Sequence, residues 1–351
     1  MSALKIDKED LILNAIIYLL AFAIAVVLGA ALIWGLLKIQ PFGALSVIIS
    51  TALFTPFGLT STLYYLVILT LISLGLALDY RAKYWNIGAD GQLIFGAIFT
   101  MQAIFTLEKL HVTTPTVLFL ILAFGMVGGA LYGLIPAVLK AYLNVNEVLS
   151  TLMLNFIAIY FMTWLVDITG PWKDPYAAEL ESYPVPYYFY LNNFAILFAI
   201  MILALIIVYI LTERTTFGYK IKVIGSSLKA ADYSGIDRKR IYIYLGLISG
   251  ALAGLAGSID ILAVSHLLSS DFDSLYFGYL SIFTTWLASL NPIFVIPSSL
   301  LMGTLISGGY FMEALTGVSQ LFIYYFEGIT FASIITFQAL KSQFKKVIKI
   351  G

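Results

Sequence analysis

The stretch from Glu213 to Arg240, ERTTFGYKIKVIGSSLKAADYSGIDRKR, is the longest polar run in a chain that otherwise consists of apolar segments. It carries seven lysines and arginines against three acidic residues. Lys and Arg accumulate in the loops of membrane proteins that stay on the cytoplasmic side. The sequence therefore predicts that this loop, residues 213–240, faces the cytoplasm.

The middle of this loop has the local signals of a short helix. Ser226 or Ser227 is suited to cap its N-terminus, and Gly235 stands where a left-handed residue ends a helix. Leu228 and Ala231 are three residues apart and are expected to share a face. Two interpretations stay open from the residues alone: the helix docks into a soluble partner, or the loop is a topological anchor with no partner.

Composition places the whole chain in a membrane. Of its 351 residues 61% are hydrophobic and only 11% are charged, and a soluble domain cannot bury that much apolar surface. The first apolar run, Leu11 to Leu37, is too long for a signal peptide and is interpreted as a full span. Cysteine is absent, which excludes disulfides and thiolate metal sites.

A membrane-spanning helix needs about 20 apolar residues, and on that scale the sequence predicts an all-α polytopic protein of about ten transmembrane helices in a single domain, residues 1–351. The predicted spans are 11–37, 60–79, 89–107, 116–139, 147–166, 194–211, 241–263, 276–289, 293–311 and 318–340. The span at 276–289 is short, and the apolar segment 42–57 is predicted to be a re-entrant or interfacial piece.

Charge sidedness then gives the orientation. Ten spans place both termini on one side, and this arrangement puts 16 of the 19 lysines and arginines on the cytoplasmic side. The chain is therefore predicted to be N-in and C-in. Residues 167–193 become an extracellular loop, whose tyrosine-rich stretch YPVPYYFY is either an interfacial belt or a platform for a binding protein.

Three polar side chains, Asn86, Asp90 and Gln92, open the predicted third helix. Polar groups at membrane depth usually face a bundle interior or a watery cavity. The alternative is a helix N-terminus at the cytoplasmic edge, with Asn86 as the cap and Asp90 favoured by the helix dipole.

A second polar set begins the fifth helix. Asn144 and Glu147 have the spacing of a capping box. Glu147, Thr151 and Asn155 are four residues apart and form one stripe, which is predicted either to hydrogen-bond to a neighbouring helix or to line a pore. In the seventh helix, Asp260 is either an interfacial group or a substrate contact.

The sequence lacks the residues that other classes of function require. Gly246, Gly250 and Gly254 suggest close helix packing rather than a phosphate loop, because no Gly-Lys-Ser/Thr follows. Walker motifs, metal-ligand spacings and a Ser/His/Asp arrangement are all missing from the sequence. The basic residues lie in topogenic loops, so nucleic acid is not expected as a partner, and neither enzyme activity nor a cofactor is predicted.

Several of these motifs resemble those of ABC-importer permeases for nucleosides, simple sugars and branched-chain amino acids. Gly225–Ile236 is similar to the cytoplasmic coupling segment of that family, with Ser227 in place of the usual Asn. Asn86–Gln92 resembles the N-I-G-x-E-G-Q signature of the nucleoside group, with Asp90 replacing Glu. Asn144–Asn155 is nearly identical to another stretch of the same group, and Gly170–Pro175 narrows the resemblance to the first of two paired nucleoside-importer permeases.

The resemblance extends from about Leu59 to Phe337. Ala253–Leu262 also follows the family pattern, with Asp260 replacing Glu. Phe277–Leu290 departs from it, because bulkier and more hydroxylated residues replace a segment rich in glycine and alanine.

The resemblance implies a permease subunit in the plasma membrane that works by alternating access. Its implied partners are an ABC ATPase, a second homologous permease that forms a heterodimer with this chain, an extracellular solute-binding protein and the lipid bilayer. The implied ATPase-coupling residues are Gly225, Leu228, Ala230, Ala231, Gly235 and Ile236. The candidate substrate-path residues are Asn86, Asp90, Gln92, Glu147, Thr151, Asn155 and Asp260. A permease for another solute, such as a branched-chain amino acid, and a secondary transporter are the alternatives.

Overall fold

The computed structural model of the chain describes residues 41–112, 117–272 and 276–316, together with a few isolated positions nearer the two ends. These residues form helices and, apart from two isolated β-bridges, no strand. The helices in chain order are α1 (Pro41–Phe54), α2 (Pro56–Arg81), α3 (Ala89–Lys109), α4 (Val117–Leu143), α5 (Glu147–Val166), α6 (Phe194–Glu213), α7 (Thr216–Ser226), α8 (Leu228–Tyr233), α9 (Arg238–Asp260), α10 (Phe277–Leu287) and α11 (Pro292–Thr316).

Seven stretches of helix in the described residues are long and apolar enough to cross a membrane. They are α2 to α6, α9 with the π-helical turn Ile261–Ser265 that continues it, and Pro292–Glu313 of α11. The prediction of an all-helical, multi-pass protein is confirmed. The predicted spans 11–37 and 318–340 lie outside the described residues, so the count of ten and the N-in/C-in orientation stay predictions.

Two predicted apolar segments form short helices. The span predicted at 276–289 is α10, a helix of 11 residues. At 1.5 Å per residue it covers about 16 Å, against about 30 Å for a bilayer core, so α10 alone does not cross. The segment predicted at 42–57 contains α1, a helix of 14 residues, and its place relative to the bilayer stays a prediction.

The described residues divide into two compact units, one of residues 63–303 and one that includes residues 41–62 and 304–316. In the latter unit, Gly308 packs against the backbone of Ile48. The Ser307 hydroxyl donates to the carbonyl oxygen of Gly58 over 3.0 Å, and the Thr62 hydroxyl donates to that of Ala52 over 3.1 Å. These contacts join α1, the start of α2 and the C-terminal part of α11.

In the larger unit, burial separates central helices from peripheral ones. In the most apolar 18-residue stretch of each span, the buried share is 78% for α2 and for α9, but only 22% for α6. The centre is close-packed because glycines of α9 face glycines of α4. A Cβ on Gly250 would collide with the carbonyl oxygen of Gly129, and one on Gly254 with that of Gly125. The close helix packing predicted from the glycine stripe is therefore confirmed.

Helix α10 runs beside the second half of α2 and in the same direction. Near its start, Phe277 packs on Tyr65 with ring centroids 5.5 Å apart. Near its end, the ring centroid of Trp286 lies 6.2 Å from that of Tyr80. Left-handed backbone at Tyr276 precedes the helix and at Ser289 follows it. The N-terminus of α10 is consequently placed beside the middle of α2, inside the unit.

Candidate functional site

The turn between α2 and α3 is held by the side chain of Asn86. Its Nδ2 donates to Asp79 Oδ2 over 2.9 Å, and its Oδ1 accepts from the backbone N–H of Gly88 over 2.9 Å and from Gln92 Nε2 over 3.3 Å. Helix α3 begins at Ala89, with Gly88 as its cap residue and no side-chain capping bond. The alternative in which Asn86 caps α3 is therefore wrong: Asn86 ties the turn back to α2.

Asp90 reaches across to the N-terminus of α10. Its Oδ1 accepts from the backbone N–H of Gly278 over 2.5 Å, and its Oδ2 accepts from that of Tyr279 over 3.2 Å. The first N–H groups of a helix have no partner within the helix and carry its positive dipole end, so a carboxylate stabilises them. A Cβ on Gly278 would collide with Asp90, which explains why glycine stands there.

The stripe on α5 faces the same turn. Thr151 Oγ1 accepts from the backbone N–H of Ile87 over 3.1 Å. Asn155 Oδ1 accepts from Gly91 N over 2.8 Å, while its Nδ2 donates to the carbonyl of Ile87 and to the Tyr279 hydroxyl over 2.9 and 3.1 Å. Of the two predicted roles for the stripe, hydrogen bonding to a neighbouring element is the one that these contacts display.

The predicted capping box at the start of α5 is wrong. Asn146 caps the helix, with its Oδ1 accepting from the backbone N–H of Val148 over 2.9 Å. Asn144 lies two residues too early and has left-handed backbone, with φ of 51°. Glu147 instead forms an ion pair with Lys140 over 2.7 Å, which joins the end of α4 to the start of α5.

We name this set of hydrogen-bonded groups the polar joint. Its members are Asp79, Asn86, Asp90, Gln92, Thr151, Asn155, Ser249 and Tyr279. All except Tyr279 are buried. The joint connects α2, α3, α5, α9 and α10, so a displacement of one of these helices must break or exchange buried hydrogen bonds.

Sequence reasoning missed Asp79, Ser249 and Tyr279 as members of the joint. Asp79 is the one acidic residue of α2 and lies two residues before Arg81, so it resembled a charge at a helix end. It is fully buried, and its Oδ1 accepts no hydrogen bond within the described part of the chain. A lone carboxylate inside an apolar span was the signal that would have found it.

Asp260 is buried but lies apart from the joint. It stands 11 positions beyond Ser249 on α9, which corresponds to about 16 Å along the helix axis. The structure therefore brings five of the seven predicted path residues into the joint, namely Asn86, Asp90, Gln92, Thr151 and Asn155. Glu147 lies one turn before Thr151 on α5, and Asp260 lies at the C-terminal end of α9.

The coupling segment, residues 225–236, has the predicted local structure. Helix α8 begins after Ser227, whose Oγ accepts from the backbone N–H of Ala230 over 3.3 Å. It is followed by Gly235 with φ of 68°, the left-handed conformation that glycine adopts without a steric cost. A Cβ on Gly225 would collide with the carbonyl oxygen of Arg81, so the end of α7 packs closely on the end of α2.

Of Leu228 and Ala231, the two implied coupling residues that were expected to share a face of α8, only Leu228 is exposed. Ala231 is completely buried within this chain, because α8 folds back on α7. Leu228, Lys229 and Ala230 are exposed instead, and the Tyr233 side chain is 93% exposed. A partner would contact these exposed side chains, whereas Ala231 and the half-buried Ile236 face the rest of this chain.

The loop of residues 167–193 is bonded to the chain that follows α9. The backbone N–H of Val185 donates to the carbonyl of His266 over 2.7 Å, and that of Leu191 donates to Leu262 over 2.8 Å. The Tyr190 ring stacks on the His266 ring with centroids 3.6 Å apart. Burial lowers the pKa of His266 from its usual value, which favours the neutral imidazole. Tyr176 and Tyr187 remain exposed on the loop.

Within the described ranges, no group of three or more His, Asp or Glu side chains could hold a metal ion. The polar joint has two carboxylates, but amides, hydroxyls and backbone N–H groups surround them. Such a set can exchange hydrogen bonds with a neutral, polar molecule.

Comparison with known proteins gives consistent matches. The chain is 31% identical over 253 residues to the nucleoside ABC transporter permease NupB of Lactococcus lactis subsp. cremoris, covering 68% of this chain and 69% of that protein. It is 28% identical over 341 residues to the glucose ABC transporter permease TsgB13 of Haloferax volcanii, covering 92% and 86%. It is also 28% identical over 262 residues to the guanosine ABC transporter permease NupP of Bacillus subtilis, covering 71% and 72%. No solved structure matches the chain.

Residues 58–335 match the family described as the branched-chain amino acid transport system permease component, which agrees with the resemblance found from Leu59 to Phe337. This family supplies the transmembrane component of its transporters rather than a catalytic subunit, and a secondary transporter is not favoured. The chain belongs to this family and is a multi-pass permease subunit of an ABC importer in the plasma membrane.

Proposed function

We propose that this permease carries a nucleoside or a related simple sugar across the membrane. The support is that relatives named for nucleosides, guanosine and glucose match most of the chain. A nucleoside or sugar is neutral and rich in hydroxyl groups, and the polar joint offers amide and hydroxyl partners for such a molecule. The alternative is a branched-chain amino acid, which differs from these solutes because it presents a fixed carboxylate and a fixed ammonium group.

The substrate path runs past the polar joint. In the present conformation the side chains of Asn86, Asp90 and Asn155 are bonded to protein groups. Alternating access requires the helices around a path to separate and rejoin. Opening of the joint would expose Asn86, Asp90, Gln92, Thr151 and Asn155 to a solute whose hydroxyls replace the broken bonds. Glu147 at the start of α5 and Asp260 at the end of α9 then lie toward the two ends of the path.

The energy for this cycle comes from a partner subunit. An ABC ATPase docks on the exposed side chains of α8 and hydrolyses ATP. A second, homologous permease completes the path as a heterodimer, and an extracellular solute-binding protein delivers the solute to the loop of residues 167–193. Nucleic acid is not expected among the partners, and no cofactor is required in this chain.

Reconstituted transport tests the substrate. The chain would be purified together with its second permease, its ATPase and its binding protein, and uptake of adenosine, glucose and leucine into proteoliposomes would be measured side by side. We expect ATP-dependent uptake of adenosine or glucose. We expect Asp90→Asn and Asn155→Leu to lower maximal uptake with little change in apparent affinity, because the binding protein sets affinity. Uptake of leucine alone would refute the assigned substrate class.

Copurification tests the docking face. Leu228→Glu and Tyr233→Glu each place a carboxylate where the ATPase should contact α8, and burying an unpaired charge at an interface costs several kcal/mol. Both variants should fold normally but lose the ATPase. Tyr219→Glu is the matched control, since Tyr219 is exposed on α7 outside the segment. Retention of the ATPase by both test variants would exclude α8 as the docking site.

Cysteine labelling tests the orientation. The chain has no cysteine of its own, so single cysteines at Asp271 and Ser227 report on one position each. An impermeant maleimide added to intact cells should label the cysteine at 271 and spare the one at 227. External labelling at 227 would reverse the orientation and remove residues 213–240 from the cytoplasm.

A further inference from the structure

Two clefts lie beside the half of α3 that ends at Lys109. One has a volume of about 700 Å³ and is lined in part by Gln102, Phe105, Glu108 and Lys109. The other has a volume of about 480 Å³ and extends back along the helix to Phe95. Both have Gln102, Pro171 and Trp172 in their walls, so they adjoin one another along α3, and we name the two together the α3 groove.

The α3 groove changes character along its length. At the Lys109 end its wall carries the charged side chains of Glu108 and Lys109, both exposed. At the Phe95 end the wall is almost wholly apolar and aromatic, with Phe95, Phe161 and Trp164 stacked at centroid distances of 5.7 Å between neighbours. An occupant must therefore be polar at one end and apolar at the other.

The length of the groove matches half a bilayer. Phe95 and Lys109 are 14 positions apart on a helix, which corresponds to about 21 Å. A bilayer including its headgroups is about 40–45 Å thick, so one lipid reaches about the same distance. The charged end belongs to the last turn of a membrane-spanning helix, where lipid headgroups lie.

The two charges at the mouth fit a zwitterionic headgroup. Neither Glu108 nor Lys109 forms an ion pair within the described part of the chain. Lys109 is placed to attract a phosphate, and Glu108 to attract an ammonium. Phe105, Trp172 and Tyr183 line the same cleft, and aromatic faces attract quaternary ammonium groups.

We propose that the α3 groove binds one phospholipid with a zwitterionic headgroup, its phosphate at Lys109, its ammonium at Glu108, and its acyl chain along Phe95, Phe161 and Trp164. A nucleoside or sugar fits the inner cleft poorly, because Gln102 and two indole N–H groups are the polar side-chain groups there and buried hydroxyls would lose hydrogen bonds. An acyl chain has no such cost. This site is independent of the solute that the permease carries.

Lipid titration of the delipidated, purified chain tests this site. Dioleoylphosphatidylcholine is the probe, and native mass spectrometry counts the lipids retained at each concentration. We expect one lipid to bind more tightly than the rest. Trp164→Ala should weaken its affinity about tenfold, because it removes a large aromatic wall of the groove. Tyr160→Ala is the matched control, since Tyr160 is more exposed on the same helix and lies outside the groove.

Two further variants test the middle of the groove and its charged end separately. Gln102→Trp fills the point where the two clefts meet and should also displace the lipid. Lys109→Gln should weaken phosphatidylcholine about threefold to tenfold, whereas Lys220→Gln, at an exposed position on α7, should change nothing.

Three results would overturn the site. The first is equal lipid retention by the wild-type chain and by Trp164→Ala and Gln102→Trp. The second is displacement of the lipid by adenosine or glucose, which would make the groove a solute site. The third is protection of a cysteine at Gln102 from labelling in the lipid-free assembled complex but not in the isolated chain, which would make the groove an interface with another subunit.

Discussion

The polar joint and the coupling segment use hydrogen bonds over very different distances in sequence. In the joint, Asp90 bonds to Gly278, 188 residues away, and Asn155 bonds to Gly91, 64 residues away. In the coupling segment, Ser227 bonds to Ala230 and Ile236 bonds to Ala231. A change in the joint must therefore disturb several helices together, whereas a change in the segment should stay local.

The largest effect is expected when Asp90 is replaced by Ala. The substitution leaves the buried N–H group of Gly278 and the partly buried N–H group of Tyr279 without their acceptor, and the loss of a partner for a buried group costs about 1–3 kcal/mol. Asp90→Ala should therefore lower the thermal midpoint of the purified chain markedly and abolish uptake. Thermal unfolding followed by circular dichroism measures the first effect.

Two controls sharpen this test. Asp271→Ala removes an exposed carboxylate and should leave the thermal midpoint unchanged. Asp90→Glu keeps a carboxylate and should fall between Asp90→Ala and the wild-type chain. If Asp90→Ala unfolds at the wild-type temperature, Asp90 does not hold α10 in place, and the joint is as local as the coupling segment.

Replacing Asn155 by Leu should have the next largest effect. Leu has nearly the same size but breaks the bonds to Gly91, Ile87 and the Tyr279 hydroxyl, and we expect a loss of about 2–4 kcal/mol because two backbone groups lose their partner. Ser150→Ala is the control on the same helix, since among the described residues the Ser150 hydroxyl bonds to the carbonyl of Glu147 in its own helix and to no other helix. Equal denaturation midpoints for the two variants would contradict the role assigned to the α5 stripe.

The contrast also explains what could be predicted from the sequence. Polar residues inside apolar spans are rare enough that Asn86, Asp90, Gln92, Thr151 and Asn155 could be selected by type and spacing alone. Their partners could not, because no local pattern indicates that Asp90 meets the backbone of Gly278 or that Asn86 meets Asp79. The sequence indicated that the span at 276–289 is short, but not where α10 ends, because its ends are turns at Tyr276 and Ser289, neither of which is a glycine or proline.

Short-range sequence signals predicted the element whose hydrogen bonds are themselves short-range. Ser227 and Gly235 predicted the start and end of α8 because a cap and a left-handed residue act within one turn of the helix. The buried side of α8 was missed, since the spacing of Leu228 and Ala231 does not reveal that α7 covers one of them. The capping box failed by two residues, because Asn144 and Asn146 both precede Glu147 and only backbone conformation distinguishes them.

Ala231 and Ala230 provide a matched pair within the coupling segment. Ala231 is buried and Ala230 is exposed, so Ala231→Glu must either bury a carboxylate or detach α8 from α7. Because α8 has only six residues, local detachment limits the cost, which we expect to be about 1–2 kcal/mol. Proteolysis at the segment should become faster for Ala231→Glu. For Ala230→Glu the rate should match the wild-type chain, and equal rates for both would contradict the burial of Ala231.

The smallest effect is expected at the cap of α8. Ser227→Ala removes the acceptor for the backbone N–H of Ala230, and loss of an N-cap typically costs about 0.5–2 kcal/mol. The value here should lie near the lower end, because the bond is long at 3.3 Å and the helix end is exposed. Hydrogen exchange resolves such a change: amides of residues 230–234 should exchange about two to five times faster in Ser227→Ala, while those of the polar joint keep their wild-type rates. Ser226→Ala is the control, since the Ser226 hydroxyl bonds to the carbonyl of Val223 in the preceding helix and caps nothing in α8. Faster exchange at Gly91 or Gly278 in Ser227→Ala would show that the two regions are coupled, and that the segment is not the local element that its hydrogen bonds indicate.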